Sequence, residues 1–166
     1  IGKHSNLINS KNGSWFVLGH LLSTEELIPD QPAKPQCGKC DKCIKACPTK
    51  AITEPFVIDS RLCLAYHTIE NRNHSLPINI KNSLGTWVAG CDICQDICPW
   101  NKKDLESSTD PDTQPKDWIL KLTKKDVLAW DEQKWKKKLQ GSALKRIKPW
   151  MWRRNASAIQ TSKKNS

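Results

Sequence analysis

Eight of the 166 residues are cysteines, and their spacing is the strongest chemical signal in the chain. Cys37, Cys40, Cys43 and Cys47, the last followed by Pro48, spell C-x2-C-x2-C-x3-C-P. Bacterial ferredoxins hold 4Fe-4S clusters with that run: three thiolates wrap three iron corners of one cubane, and the turn before the proline carries the fourth to the other cluster. Cys91, Cys94 and Cys98, followed by Pro99, repeat the end of the pattern. The position that would complete the repeat holds Val88, and the remaining cysteine is Cys63. The crossover rule then gives Cys37, Cys40, Cys43 and Cys98 to one cluster, and Cys47, Cys63, Cys91 and Cys94 to the other.

Two structural zinc sites would also need four thiolates each and often use C-x2-C pairs. Zinc neither requires the close third cysteine nor favours the repeated C-x3-C-P ending. Disulfides fit less well than metal ligation, because the amino end shows no secretory pattern and the cytosol keeps thiols reduced. The histidines His4, His20, His67 and His74 are assigned no chemistry; His4, alone in a polar turn, is expected at the surface.

Charge points to a further partner. Lys and Arg number 27 against 17 Asp and Glu, a formal net charge of +10. Residues 1–30 hold 2 basic and 3 acidic side chains, residues 31–103 hold 10 and 6, and residues 104–166 hold 15 and 8. After Glu132 come eleven basic residues and no acidic one, the footprint expected for a polyanion. A solvated basic tail is the alternative. No apolar run approaches the roughly 18 residues that cross a bilayer, so a cytoplasmic protein without a membrane partner is expected. With 37% hydrophobic and 27% charged residues the chain should fold, and its start at Ile1 instead of methionine suggests a fragment.

Short elements must position these groups. The apolar stretch Trp15–Leu22 reads as a buried strand or short core segment, and the proline-rich stretch Pro29–Gln36 as a boundary. Ala51–Ile58 fits a short strand or turn, and Asp59 could cap a helix running through Cys63 to about Glu70. Asn71–Asn82 reads as a loop and Asp104–Pro115 as a linker. Trp118–Leu122 and Val127–Leu139 have helical spacing, Gly141 is a plausible break, and Lys148–Gln160 forms a last basic helix. The eight tryptophans are expected in the core or against a cluster more than in base stacking.

Five segments of the chain resemble the epoxyqueuosine reductases of tRNA modification. They are GKHSNLINSKNGSW at Gly2–Trp15, CGKCDKCIKACPTKAI at Cys37–Ile52, RLCLAYHTIE at Arg61–Glu70, GCDICQDICPWN at Gly90–Asn101 and GSALKRIKPWMWRRNA at Gly141–Ala156. The cysteine arms alone indicate a two-cluster ferredoxin module; the first, third and last segments make the resemblance specific. It implies an α+β chain in which residues 1–30 are the tail of an α/β cobalamin-binding domain and residues 31–103 a ferredoxin-like domain with two 4Fe-4S clusters. Residues 104–116 would be a linker, and residues 117–166 the start of an α-helical, HEAT-like repeat domain that meets tRNA.

The resemblance further implies a cytoplasmic oxidoreductase, expected as a monomer, that turns the epoxide of epoxyqueuosine, at the wobble position of tRNA, into the alkene of queuosine. That change takes two electrons and two protons, and the oxygen leaves as water. An external donor would supply electrons through the clusters to cobalamin. The family's proton donor is an aspartate upstream of the GKH segment, so no catalytic residue is assigned here. By the same resemblance Gly2, Lys3, Asn6, Leu7, Ser14 and Leu18 fall on the segment lining cobalamin, and Ala65 where the family also approaches it, often with a serine. Lys145, Arg146, Lys148, Arg153 and Arg154 are the expected tRNA contacts. A reductive dehalogenase-like enzyme, a simple electron-carrier ferredoxin and a zinc-bearing nucleic-acid module are the alternatives.

Overall fold

The cysteines sit among very short elements, because the C-P turns and the ligand loops leave little room for regular structure. The computed structural model describes all residues except 103, 104, 106 and 160–166. Helix α1 (Lys42–Ala46) carries Cys43 and stops at Cys47, whose extended backbone leads into Pro48. A hairpin follows, β1 (Ile52–Glu54) antiparallel to β2 (Val57–Ile58), with Ile52 paired to Ile58. Helix α2 (Leu64–Ile69) starts directly after Cys63, α3 (Ile78–Ser83) follows, and α4 (Ile93–Asp96) lies between Cys91 and Cys98. The two-stranded sheet is the only one among the described residues, so the architecture is helices plus one small sheet.

The carboxy-terminal third is built from α5 (Asp117–Leu120), α6 (Lys124–Leu128), α7 (Glu132–Lys138) and α8 (Pro149–Ala158). Thr123 and Asp126 form a reciprocal capping box at the start of α6, and Asp131 caps α7 by accepting from Lys134 N at 2.7 Å. Those caps split Val127–Leu139, expected as one helix, into two. Gly141, at φ +71, turns the chain after α7, and Pro149 occupies the first turn of α8, where its missing N–H costs nothing. Val127, Trp130, Trp135, Leu139, Ile147, Met151, Trp152 and Ala156 form the main core, with Ile69 and Val88 packed against it. Each fully buried aliphatic side chain there contributes about 2 kcal/mol.

Several expectations are corrected. Trp15–Leu22 is neither strand nor core: it has no regular structure, and Val17 and Leu22 are 91% and 95% exposed. Asp59 does not cap α2; its carboxylate closes a turn by accepting from Arg61 N and pairing with the Arg61 guanidinium. The 71–82 loop holds the start of α3, because Ile80 and Leu84, four apart, bury on one face with Leu64 and Leu76. His4 is not at the surface but 2% exposed. Trp130, Trp135 and Trp152 are core residues, as expected of most tryptophans here. Residue 104, where the linker was expected to start, and Gln160, the expected end of the last helix, lie outside the described residues.

Candidate metal centre

Cys37 and Cys40 stand on the turn before α1, closed by Cys40 N donating to the Cys37 carbonyl at 3.0 Å. Cys43 faces inward from α1, and α1 packs on α4, whose end delivers Cys98. These four thiols line one cavity of about 280 Å³, together with His4, Gln36, Pro99 and Trp100. Lys3 fastens its rim from a distant part of the chain. The Lys3 backbone N–H donates to Cys37 Sγ at 3.4 Å, and its ammonium donates to the carbonyls of Gly38 and Cys40 at 2.9 and 2.8 Å.

The other four thiols line a second, smaller cavity of about 40 Å³. Cys47 reaches it from the turn after α1, Cys63 from the first position before α2, and Cys91 and Cys94 from the two sides of the α4 start. Ile52, Ile58, Leu64 and Ile93 close it with apolar surface. The cysteines thus sort four and four, and the sorting is the crossed one: Cys47 leaves its own arm and Cys98 leaves the other.

The electrostatics of both cavities resist bare thiolates. Burial, followed by the charges of Cys91, Cys63, Cys43 and Cys47, pushes the Cys94 thiol up to about 12. Burial also raises Cys43 and Cys91. Burial acts upward on Cys47 too, but N–H donors outweigh it, with Ala51 N at 3.2 Å from the sulfur, and bring the thiol below its ordinary value. Four sulfurs at such a site can all be deprotonated only around compensating positive charge, which iron supplies. Among the described residues no group of three or more His, Cys, Asp or Glu side chains is placed to hold a single metal ion. The four thiols of each set surround a volume, as the ligands of a polynuclear cluster would.

Of the residues expected along cobalamin, Asn6, Leu7, Ser14 and Leu18 share one open cavity of about 470 Å³ with Trp15 and Gln95. Gly2, Lys3 and Ala65 do not line it. Ser14 is buried, and its polar groups are used across the chain: its hydroxyl donates to Gln95 Oε1 at 2.9 Å and accepts from Asn101 Nδ2 at 2.7 Å, while its N–H donates to Asn101 Oδ1. Gly13 makes that approach possible, since a Cβ there would stand 2.2 Å from Asn101 Oδ1. The surface that remains is mixed, with Asn6 beside Leu7 and Leu18.

The expected tRNA contacts are unequal. Lys145 and Lys148 are exposed, and Lys148 Nζ lies 5.9 Å from the Trp135 ring. Arg146 pairs with Glu70. Arg153 uses one N–H on the Trp130 carbonyl, at 2.7 Å. Arg154 uses all five. Its Nε and Nη2 donate to Asn155 Oδ1 at 3.0 and 2.9 Å, Nη2 to the His67 carbonyl at 2.7 Å, and Nη1 to the carbonyls of Asn71 and Asn73. Asn155, fully buried, donates to the carbonyls of Thr68 and Val88, both at 2.8 Å. Arg154 and Asn155 therefore bind α8 to the end of α2 and to the strand of chain entering Cys91. Sequence reasoning assigned nothing to Gln95, Asn101 or Asn155, although each lies inside a segment that carried the resemblance.

Comparison with known proteins agrees with this geometry. The family described as a 4Fe-4S double cluster binding domain matches residues 36–101. Epoxyqueuosine reductase of Prochlorococcus marinus (strain NATL2A) is 66% identical over 96% of this chain and 51% of its own length. That of Synechococcus sp. (strain CC9605) is 63% identical over 96% of this chain and 50% of its own. The solved epoxyqueuosine reductase of Bacillus subtilis superposes with a TM-score of 0.88 at 28% identity, over 95% of this chain and 41% of that one. An epoxyqueuosine reductase crystallised with an epoxyqueuosine-modified tRNA stem loop gives a TM-score of 0.81 at 26% identity, over the same shares. The chain spans about half the length of the curated relatives it matches, and over that half it is similar to the epoxyqueuosine reductases.

Proposed function

We propose that the protein containing this chain is a cytoplasmic epoxyqueuosine reductase, which reduces epoxyqueuosine in tRNA to queuosine with electrons relayed through two 4Fe-4S clusters to cobalamin. The observation that carries the proposal is the crossed sorting of eight thiols into two cavities. Bound in those places, the clusters would carry single electrons and cobalamin would supply the reduced cobalt centre that acts on the epoxide.

This chain's residues hold and shield those groups. Cys37, Cys40, Cys43 and Cys98 would ligate one cluster, and Cys47, Cys63, Cys91 and Cys94 the other. Asn6, Leu7 and Leu18 would form one wall of the corrinoid site, with Ser14 setting its floor through Gln95 and Asn101. Lys3, on the same loop, acts on the cluster side, where it fixes the carbonyls of Gly38 and Cys40. A simple electron carrier has no use for that loop. Gly2 and Ala65 would contribute at most through their backbone. For tRNA, the exposed Lys145 and Lys148 and the remaining donors of Arg153 are the groups free to meet phosphates, with Arg146 shared with Glu70. Among the described residues no helix is long and apolar enough to cross a membrane, which suits a tRNA enzyme.

The test uses the full-length protein prepared without oxygen. Iron and sulfide should each approach about eight per chain, two cubanes, and Cys63→Ala should bring both to about four. The intact protein should convert epoxyqueuosine in a tRNA stem loop to queuosine, dependent on added cobalamin. Stoichiometric zinc without sulfide, or full cluster content with no conversion under any reductant, would overturn the proposal.

A further inference from the structure

His4 is a buried group that the assignments above do not use. It lies on the loop between Gly2 and Ser14 and lines the same cavity as Cys37, Cys40, Cys43 and Cys98. Its ring is fixed by geometry. The Asn6 backbone N–H donates to Nδ1 at 3.2 Å, so Nδ1 holds a lone pair and the proton of the neutral ring is on Nε2. Burial, the largest influence, keeps the imidazole pKa below its ordinary value and so keeps the ring neutral. The Nε2–H donor is buried, and among the described residues it has no hydrogen-bond partner. Buried donors are rarely left unpaired, and those that are call for an acceptor of another kind. The cavity that His4 lines is shared by four cysteine sulfurs with Gln36, Pro99 and Trp100, and sulfur is the acceptor a cluster would present there.

We infer that His4 donates a hydrogen bond from Nε2–H to a sulfur of the cluster held by Cys37, Cys40, Cys43 and Cys98, and thereby raises that cluster's reduction potential relative to the other. The inference rests on the proposed cluster sites. On one-electron reduction the cubane gains negative charge, its sulfurs become better acceptors, and a fixed donor stabilises the reduced form more than the oxidised one. The second cavity is lined by no histidine, so the effect is one-sided. It would place the two clusters at different potentials with nearly the same ligand set. His4 is a positioning and tuning residue, not a catalytic one.

The experiment is a redox titration followed by electron paramagnetic resonance on the full-length, cluster-loaded protein. His4→Phe keeps a flat ring and removes the donor, and His4→Gln keeps an N–H. In His4→Phe one of the two clusters should become harder to reduce, its reduced-to-oxidised ratio at a fixed potential falling about tenfold, or about 59 mV for a one-electron couple. The other cluster should not move. The shift should persist in the Cys63→Ala background, which keeps only the cluster under His4, and His4→Gln should restore most of it. An unchanged midpoint in loaded His4→Phe would overturn the inference. So would a His4→Gln protein that loads normally but is displaced as far as His4→Phe. Should His4→Phe fail to load, His4→Gln alone decides, since its donor predicts normal loading and a midpoint near the parent's. Wild-type protein without iron and sulfide would instead remove the cluster assignment itself.

Discussion

Replacing Arg154 with alanine separates structural from tRNA-binding use of the carboxy-terminal basic residues. All five guanidinium N–H groups have acceptors within the chain, on Asn155, His67, Asn71 and Asn73. Burial, with Arg72 nearby, works against its charge, so the carbonyls must hold it. Alanine would leave the carbonyls of His67 and Asn71 in partly buried surroundings without their charged donor. At about 1.5–3 kcal/mol for each hydrogen bond to a charged group, and less than additive, the loss is about 3–5 kcal/mol. Against a total stability of about 5–15 kcal/mol that is a large fraction, and the apparent unfolding midpoint should fall by about 10 °C or more. Because α8 holds the end of α2 and the chain entering Cys91, the cluster proposed at Cys47, Cys63, Cys91 and Cys94 should be lost first on warming. Thermal unfolding under anaerobic conditions, with the two clusters followed by magnetic resonance, reads both effects. Arg154→Lys is the control: it keeps the charge a phosphate would need but not the five-donor fork, and should behave nearly like alanine. An Arg154→Ala protein of normal stability that binds tRNA more weakly with a reduced salt slope would refute the reasoning and return Arg154 to the tRNA face.

Gly13→Ala should act on the other side of the first cavity. Its φ of +64 is in the left-handed region, about 1–2 kcal/mol unfavourable for alanine, and the new Cβ would collide with Asn101 Oδ1, 2.2 Å from its ideal position. The variant should unfold earlier and retain less iron, and normal stability with normal iron content would show that the Ser14–Asn101 contacts are dispensable. Removing both clusters should loosen the cysteine loops but not the carboxy-terminal core. Amide exchange within 37–47 and 91–98 should rise by orders of magnitude while the α6 and α8 amides stay protected. Exchange of both regions in step would mean that the clusters and the tryptophan core unfold as one unit.

The grouping of the cysteines, four and four, was legible because cluster ligation imposes a spacing rule that few other constraints imitate. The rule needed only residue types and gaps for seven of them, and Cys63, which has no partner cysteine nearby in sequence, followed as the one left over. The helices of the carboxy-terminal third were legible in type but not in extent. Thr123 and Asp131 cap separate helices within what periodicity alone treats as nearly continuous. Trp15–Leu22 departs from expectation for a different reason: apolarity states that a segment prefers cover, not that its own chain provides any, and here Val17, Leu21 and Leu22 are exposed. The burial of His4 is not legible locally, because burial of a polar side chain is decided by long-range partners. Its turn is pulled under by Lys3, whose ammonium reaches the carbonyls of Gly38 and Cys40, and no local pattern contains that contact.

The two arginines of the WRRN stretch show how the same limit bears on function. On a helix they lie about 100° apart, a spacing that by itself lets a pair flank a phosphate groove. The fold gives that geometry two different meanings. Arg153 places one N–H on the Trp130 carbonyl and keeps others for an external partner, whereas Arg154 turns toward α2 and is saturated. Basic composition is therefore an upper bound on the charge available to a polyanion, and the bound is lowered wherever a backbone carbonyl takes the donor first. Lys145 and Lys148, exposed and without carbonyl acceptors among the described residues, become the better candidates. Their replacement should lower tRNA affinity and its salt slope together, with cluster content intact. A salt slope unchanged in the Lys145→Ala, Lys148→Ala double variant of the full-length enzyme would place the phosphate contacts elsewhere in the protein.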